Sequence, residues 1–356
     1  MNTHYHPTAG ATLKNGRYAV LRKLGEGITA VTWLVNDKSI TDNRLRYFAA
    51  KILSAEATAE PHGPARERDM LQAIADSSEQ EGHDYVPDLC DSFNEGPHLC
   101  LILPLYSTSV ASLCHSGPHK CLPVYMVRSI IHMTLHALQL LHNLKIVHTD
   151  VRPDNILFTN ARFSFVPDLE NLFRTTLHTT VLRFRLIGFG HAEWLNRTPS
   201  RTTLCPPALR PPEVILSYGF GTAVDIWAIG CLAFELLVGR RLFHPEDDGD
   251  DWTNEEDHLA KMQQLTGQHF TADVLTRAKN GVKYLNPNGH LARIPELIPV
   301  SIEQAMRNYN IPGLAEEDIQ ESADFIRACL ELDDRKRPTA EELLEYSFAK
   351  KAWLCH

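Results

Sequence analysis

The run "IWAIGCLAFELLV", Ile226 to Val238, is apolar on every side and broken only by Glu235. A helix of that character has no polar face to give to water, so it belongs at the centre of a large domain. It is well short of the roughly 18 apolar residues that a membrane span requires. The chain around it must therefore supply a helical shell, and at 356 residues it is long enough to do so.

The surrounding pattern divides in two. In the first hundred residues "RYAVLRKL" and "AVTWLVND" flank a glycine turn, and "RYFAAKIL" follows a polar connection, so three strands are expected. From about residue 124 the period changes. In "VYMVRSIIHMTLHALQLLHNLKI" the apolar positions 127, 130, 131, 135, 138 and 141 share one helix face. Strands first and helices later predict two lobes in one chain with a cleft between them.

Composition excludes several classes. Hydrophobic residues are 44% and charged residues 22%, which argues against wholesale disorder. The net charge of −9 disfavours direct nucleic-acid or anionic-membrane binding and suits a basic partner. "MNTHYHPTAG" has no apolar segment, so no secretory leader is expected, and a cytoplasmic and/or nuclear location follows. The eight cysteines form no C-x-x-C pair and are expected as reduced, buried thiols.

The chemistry concentrates in "IVHTDVRPDNILF". His148, Asp150, Arg152 and Asn155 stand in the spacing H-x-D-x-[K/R]-x-x-N. A carboxylate at 150 can take the proton of an attacking hydroxyl, and a cation at 152 can steady a transferring phosphoryl group. An amide at 155 can ligate a metal bridging the phosphates. Upstream, Gly25 and Gly27 lie between strand-like runs, where backbone amides can approach phosphate. Lys51 sits on an apolar strand, and Glu67 near a helix start is a possible ion-pair partner for it.

With these residues the chain resembles the eukaryotic protein kinase superfamily over about residues 18 to 350. "LRPPEVIL" is similar to the A-P-E element with Glu213 as its acid, "DIWAIG" supplies Asp225, and "DDRKRPTAEELL" supplies Arg337, the family's partner for Glu213. Thr339 and Glu342 also read locally as a capping box. Within the superfamily the chain resembles the SR-protein kinases, in a short fungal-type form. "HTD" stands for the common H-R-D, and an acidic stretch follows the central helix. The step from Asn155 to Gly188 is 188 − 155 = 33 positions, against roughly a dozen in most kinases.

The resemblance implies an α+β fold of two lobes. Residues 1–17 are an N-terminal extension, 18–106 the strand-rich lobe and hinge, and 107–350 the helical lobe. A short spacer-like insert covers 159–182, and 351–356 form a tail. It implies ATP held by Leu24, Gly25, Glu26, Gly27, Thr32 and Leu105, with Lys51 on the α/β-phosphates and Glu67 orienting it. His148, Glu213, Asp225 and Arg337 take structural roles. Mg2+ is the implied metal, with Mn2+ as a substitute, and a monomer acting on basic, Arg/Ser-rich protein substrates is expected. Glu246 to Asp257, with eight acidic residues in twelve, is either a solvated loop or a docking surface for such a substrate.

Three departures cut against full activity. The D-F-G aspartate, the family's metal ligand, is Gly188; the third loop glycine is Ala30; and Pro104 stands at the expected hinge. Asp168, Glu170 and Glu193 are nearby carboxylates that could replace the missing ligand. Thr149 replaces the arginine that reads an activation-segment phosphate, so Thr198, Ser200, Thr202 and Thr203 are not expected to switch the chain on. Two other readings therefore stand beside a serine/threonine kinase. One is a pseudokinase that binds nucleotide or acts as a scaffold. The other is a small-molecule phosphotransferase using H-x-D-x-x-x-x-N, against which the Glu213, Asp225 and Arg337 elements argue.

Overall fold

The computed structural model describes residues 4–42, 46–60, 63–116, 120–160, 182–195, 205–247, 249, 251–294 and 296–352. The chain forms two compact units. Unit 1 comprises residues 1–108 and 157–192, and unit 2 comprises 109–156 and 193–356. The chain leaves unit 1 after Thr108 and returns to it at Leu157.

Unit 1 is built on a six-stranded antiparallel sheet. Its strands are β1 (Thr12–Leu13), β2 (Tyr18–Glu26), β3 (Ala30–Asp37), β4 (Tyr47–Leu53), β5 (Asp91–Glu95) and β6 (His98–Pro104), in the order β1-β2-β3-β4-β6-β5. Period-two alternation selects its core: Ala50 and Ile52 on β4, and Cys100 and Ile102 on β6, join Val20, Val35 and Tyr18 in one buried cluster. Tyr18 stacks on Phe93, with ring centroids 5.8 Å apart. Its hydroxyl donates to Asp91 at 2.8 Å, which satisfies the one polar group it carries inside. The helix Glu67–Ala75 buries Met70, Leu71 and Ile74 and leaves its other face to solvent. A two-stranded pair, Ile156–Asn160 with Leu182–Leu186, lies in this unit apart from its first residue, Ile156.

Unit 2 surrounds the apolar run as its composition requires. The helix Ala223–Val238 buries every residue from Val224 to Val238 except Glu235, and Gly239 ends it in a left-handed conformation, φ 74°. A Cβ on Gly230 would lie 2.7 Å from Cys329 Cβ, so this glycine is what lets the helix Glu316–Cys329 approach so closely. The helix Val124–Asn143 buries all six positions of the expected stripe. Thr339 and Glu342 form the expected capping box.

Two expectations need correction. Cys100, Cys114, Cys231 and Cys329 are buried thiols, but Cys90 is exposed and Cys121 and Cys205 are half-buried. The acidic stretch is also only partly a free loop. Thr253 caps the helix Asn254–Thr266 with a second capping box to Glu256, and Glu256 is buried and holds Arg293 at 3.1 Å. Asp257 accepts the Glu246 N–H at 2.7 Å and pairs with Lys261 at 2.8 Å. The last three acids belong to a helix N-terminus, where the helix dipole favours negative charge.

Candidate active site

In unit 1, Lys51 and Glu67 form an ion pair, Nζ to Oε2 2.5 Å, with the carboxylate end nearly closed to solvent. β4 places Lys51 between Thr32 on β3 and Leu101 on β6, while Glu67 opens the helix Glu67–Ala75. The local fold explains both positions, because an acid in a first helical turn is favoured by the dipole and by Lys51 together.

The glycine turn joins β2 to β3, closed by Gly27 N–H donating to Ala30 O at 2.9 Å. Neither Gly25 nor Gly27 has a positive φ, and a Cβ on Gly25 would meet nothing within 4 Å. The fold itself therefore does not require glycine at 25. Open space above the turn is what a phosphate needs if it is to reach main-chain amides. Leu24 and Glu26 are exposed on the same strand end, Ala30 is buried, and Leu105 is half-buried just beyond β6.

The triplet Gly188-Phe189-Gly190 also lies in unit 1, beside the ion pair. A Cβ on Gly190 would be 3.5 Å from Glu67 Oε2 and 3.7 Å from Lys51 Nζ. Gly188 is left-handed, φ 94° and ψ 44°, and Phe189 is buried behind it. No carboxylate is present at 188. Of the three candidate substitutes, Asp168 and Glu170 lie outside the described residues, as do Thr198, Ser200, Thr202 and Thr203. Glu193 is fully buried on a short strand that pairs with Ile146–Val147 in unit 2.

The loop from His148 to Asn155 lies in unit 2 and hangs from Asp225. Asp225 is completely buried and accepts the N–H of His148 at 2.8 Å and of Thr149 at 2.7 Å; His142 Nε2 lies 3.0 Å away. Thr149 has φ 66°, a conformation that a β-branched side chain strongly disfavours. Charge-assisted bonds to a buried carboxylate offset that strain. The Asp150 N–H lies 3.3 Å from His148 Nδ1, which makes Nδ1 the acceptor and leaves the imidazole proton on Nε2.

Asn155 Nδ2 donates to the main-chain oxygen of Asp150 at 2.8 Å and to its Oδ2 at 2.7 Å. Asp150 Oδ1 is buried and has no hydrogen-bond partner among the described residues. One carboxylate oxygen is thus held while the other keeps its lone pairs. Arg152 points its guanidinium to Asp154, 3.0 Å away in a largely exposed pair. Glu213 and Arg337 make a buried bidentate pair, 2.6 and 2.7 Å, with Arg337 also over the Trp227 ring at 4.9 Å.

From sequence alone Cys205 is no more than a reduced, buried thiol. It has φ 63°; although the residue keeps some exposure, desolvation of its thiol is the first cause of a rise well above the ordinary value, with Asp225, Glu213 and Asp150 adding to the effect and Arg210 opposing it. A lone cysteine before Pro206-Pro207 carries no local signal of such surroundings.

The Protein kinase domain family matches residues 18–349, nearly the whole chain. The chain belongs to the protein kinase domain family. Among curated relatives, this kinase domain is 26% identical to "Serine/threonine-protein kinase SRPK" of Physarum polycephalum, over 97% of this chain and 88% of that protein. It is 27% identical to "Probable serine/threonine-protein kinase clkA" of Dictyostelium discoideum over 98% of this chain, but spans only 36% of that longer protein. A solved kinase domain superposes with a TM-score of 0.73 at 24% identity, covering 98% of this chain and 99% of the other, and so shows the same fold. A protein kinase domain uses ATP, a divalent metal and a protein substrate. No helix among the described residues is long and apolar enough to cross a membrane.

Proposed function

We propose that this kinase domain is an ATP-dependent serine/threonine kinase that transfers the γ-phosphate to protein hydroxyls. The observation that carries the reading is the Asp150 carboxylate, with Oδ2 held by Asn155 and Oδ1 buried and free to accept a proton. As the substrate oxygen forms its bond to the γ-phosphorus, its proton passes to Oδ1. The bond from phosphorus to the bridging oxygen breaks and ADP leaves with the electron pair. Lys51, held by Glu67, supports the α/β-phosphates, and the turn from Leu24 to Gly27 covers them with main-chain amides. Thr32 and Leu105 contact the nucleotide. Arg152 steadies the γ-phosphoryl group; its present pair with Asp154 is largely exposed, so exchanging that partner costs little.

The metal fits less well than the nucleotide. Magnesium, or manganese in its place, prefers carboxylate and phosphate oxygens, and the described residues offer it the amide oxygen of Asn155 and no carboxylate at 188. When bound, such an ion neutralises developing phosphate charge. That weak donor set is the observation favouring a second reading, a pseudokinase that binds nucleotide without efficient transfer. On the first reading the missing ligand slows the reaction by about two to four decades, since metal stabilisation is worth several kcal/mol and each 1.36 kcal/mol is tenfold.

For the substrate, a basic Arg/Ser-rich segment is supported by the net charge of −9 and by the exposed Glu246, Asp247 and Asp251. The docking surface is narrower than the full acidic stretch, because Glu256 and Asp257 are engaged internally. The test is transfer of labelled γ-phosphate to an Arg-Ser repeat peptide beside a Lys-free, acidic Ser peptide. Transfer to the first that disappears in Asp150→Ala supports the proposal. Nucleotide binding without transfer to any peptide supports the pseudokinase.

A further inference from the structure

The N-terminal segment lies against the glycine turn of unit 1, and three ligating side chains meet there. His4 and His6 come from "HYH" and Glu26 from the last residue of β2. One ligand atom from each lies within 4.8 Å of the other two. The segment is anchored between the histidines, because Tyr5 packs on the sheet core and its ring lies 5.3 Å from that of His98.

The tautomer of His4 follows from its neighbours. His4 Nε2 is 2.9 Å from the carbonyl oxygen of Ile28. A carbonyl can only accept, so Nε2 carries the proton and donates it, and Nδ1 keeps a lone pair. Nδ1 lies 3.4 Å from Glu26 Oε1, an ion-pair distance for a protonated imidazole, and is buried with no other hydrogen-bond partner among the described residues. Two lone pairs facing each other at this distance repel unless a positive species lies between them. A proton on Nδ1 would serve that pair alone and would leave His6 unexplained.

We propose that His4, His6 and Glu26 form a site for a zinc-class divalent cation, which clips the N-terminal segment onto the glycine turn. Two imidazoles and one carboxylate are a donor set that zinc takes with a fourth position open to water, and His6 and Glu26 are exposed enough to leave that position free. The bond from His4 Nε2 to a main-chain carbonyl is the outer contact that orients a ligating histidine. Lys23 holds the other oxygen of Glu26, Oε2, at 2.5 Å and thereby aims Oε1 at the site. The ion would restrain the turn from Gly25 to Thr29 without taking part in phosphoryl transfer, so the site stands whether or not the kinase reading holds.

The experiment uses the full chain without any affinity tag, because 18 histidines already offer weak surface sites. Cobalt(II) is titrated in first, with its visible ligand-field absorption as the readout, and zinc is then used to displace it. The expected result is one saturable equivalent with tetrahedral-type absorption, weakened at least tenfold by His4→Ala and by His6→Ala, weakened by Glu26→Gln, and unchanged by His115→Ala. Circular dichroism confirms that each variant is folded. Absence of a saturable equivalent in the wild type would overturn the proposal and leave a protonated His4–Glu26 ion pair. Binding indifferent to both histidine substitutions would overturn it equally.

Discussion

Asp225 and Thr149 are separated by 76 positions in the chain, yet Asp225 Oδ1 accepts the Thr149 N–H at 2.7 Å. The same carboxylate takes the His148 N–H, so one buried side chain holds two successive amides of the loop from His148 to Asn155. Asp225→Ala leaves both donors buried and releases the left-handed Thr149. A stability loss of about 3 kcal/mol is expected. It should appear as a lower urea midpoint of the whole chain, and turnover should fall with it.

The Glu213–Arg337 pair is closed to water at both ends. Removing one partner strands a buried charge, so Glu213→Ala and Arg337→Ala should each destabilise by about 3–5 kcal/mol. Arg337→Lys should recover little. Lysine cannot make the bidentate contact or lie flat over Trp227. A double-mutant cycle of thermal midpoints checks the coupling.

Much of this framework was legible beforehand, and the reason differs by element. Ile226–Val238 announced itself because no face of it is polar, and β2, β3 and β4 announced themselves through alternation around a glycine turn. The Thr339 cap is a local signal four residues long. By contrast, His142 meets Asp225 across 83 positions, and no local pattern encodes such a contact. The Thr253 cap was visible as "TNEE" but lay within a charge run that invited a reading as a solvated loop. The return of residues 157–160 and 182–192 to unit 1 depends on tertiary packing, and Cys205 acquires its surroundings in the same way.

His258 supplies a pH signature. It is buried on the helix Asn254–Thr266 beside the Phe243 ring, and burial, with Arg210 and Lys261 adding, lowers its imidazole to about 3. The folded state keeps it neutral, whereas the unfolded chain binds a proton below about 6.5. The unfolded state therefore holds more protons between about 6.5 and 3, and stability falls as pH drops through that window. From pH 6.5 to 5 the loss from this residue is about 1–2 kcal/mol, because the slope reaches 1.36 kcal/mol per pH unit only once the unfolded imidazole is largely protonated. His258→Leu should flatten the stability–pH curve there relative to the wild type.

On the proposed reading, Thr149 stands where the resemblance implies an arginine that reads an activation-segment phosphate. Alanine at Thr198, Ser200, Thr202 and Thr203 together should therefore leave turnover within about threefold, because no charge-assisted pair is lost. Phosphatase treatment of the purified protein should likewise leave the rate unchanged.

Lys51→Met should weaken nucleotide binding about tenfold or more, since a charge-assisted phosphate contact is worth at least about 1.4 kcal/mol. The same change leaves the Glu67 carboxylate, almost closed to solvent, without its cation. The nucleotide-dependent rise in thermal midpoint should shrink with it.

The central claim is that Asp150 drives phosphoryl transfer in a chain that lacks the metal-binding aspartate. The decisive measurement is the single-turnover rate of γ-phosphate transfer, as a function of magnesium, in wild type, Asp150→Ala and Gly188→Asp. Gly188 is left-handed, a conformation aspartate can adopt at modest cost, so the last variant should fold. A slow wild-type rate, none in Asp150→Ala, and a rise of about two to four decades in Gly188→Asp is the predicted outcome. A silent wild type with an active Gly188→Asp, or wild-type turnover that survives Asp150→Ala, would contradict it.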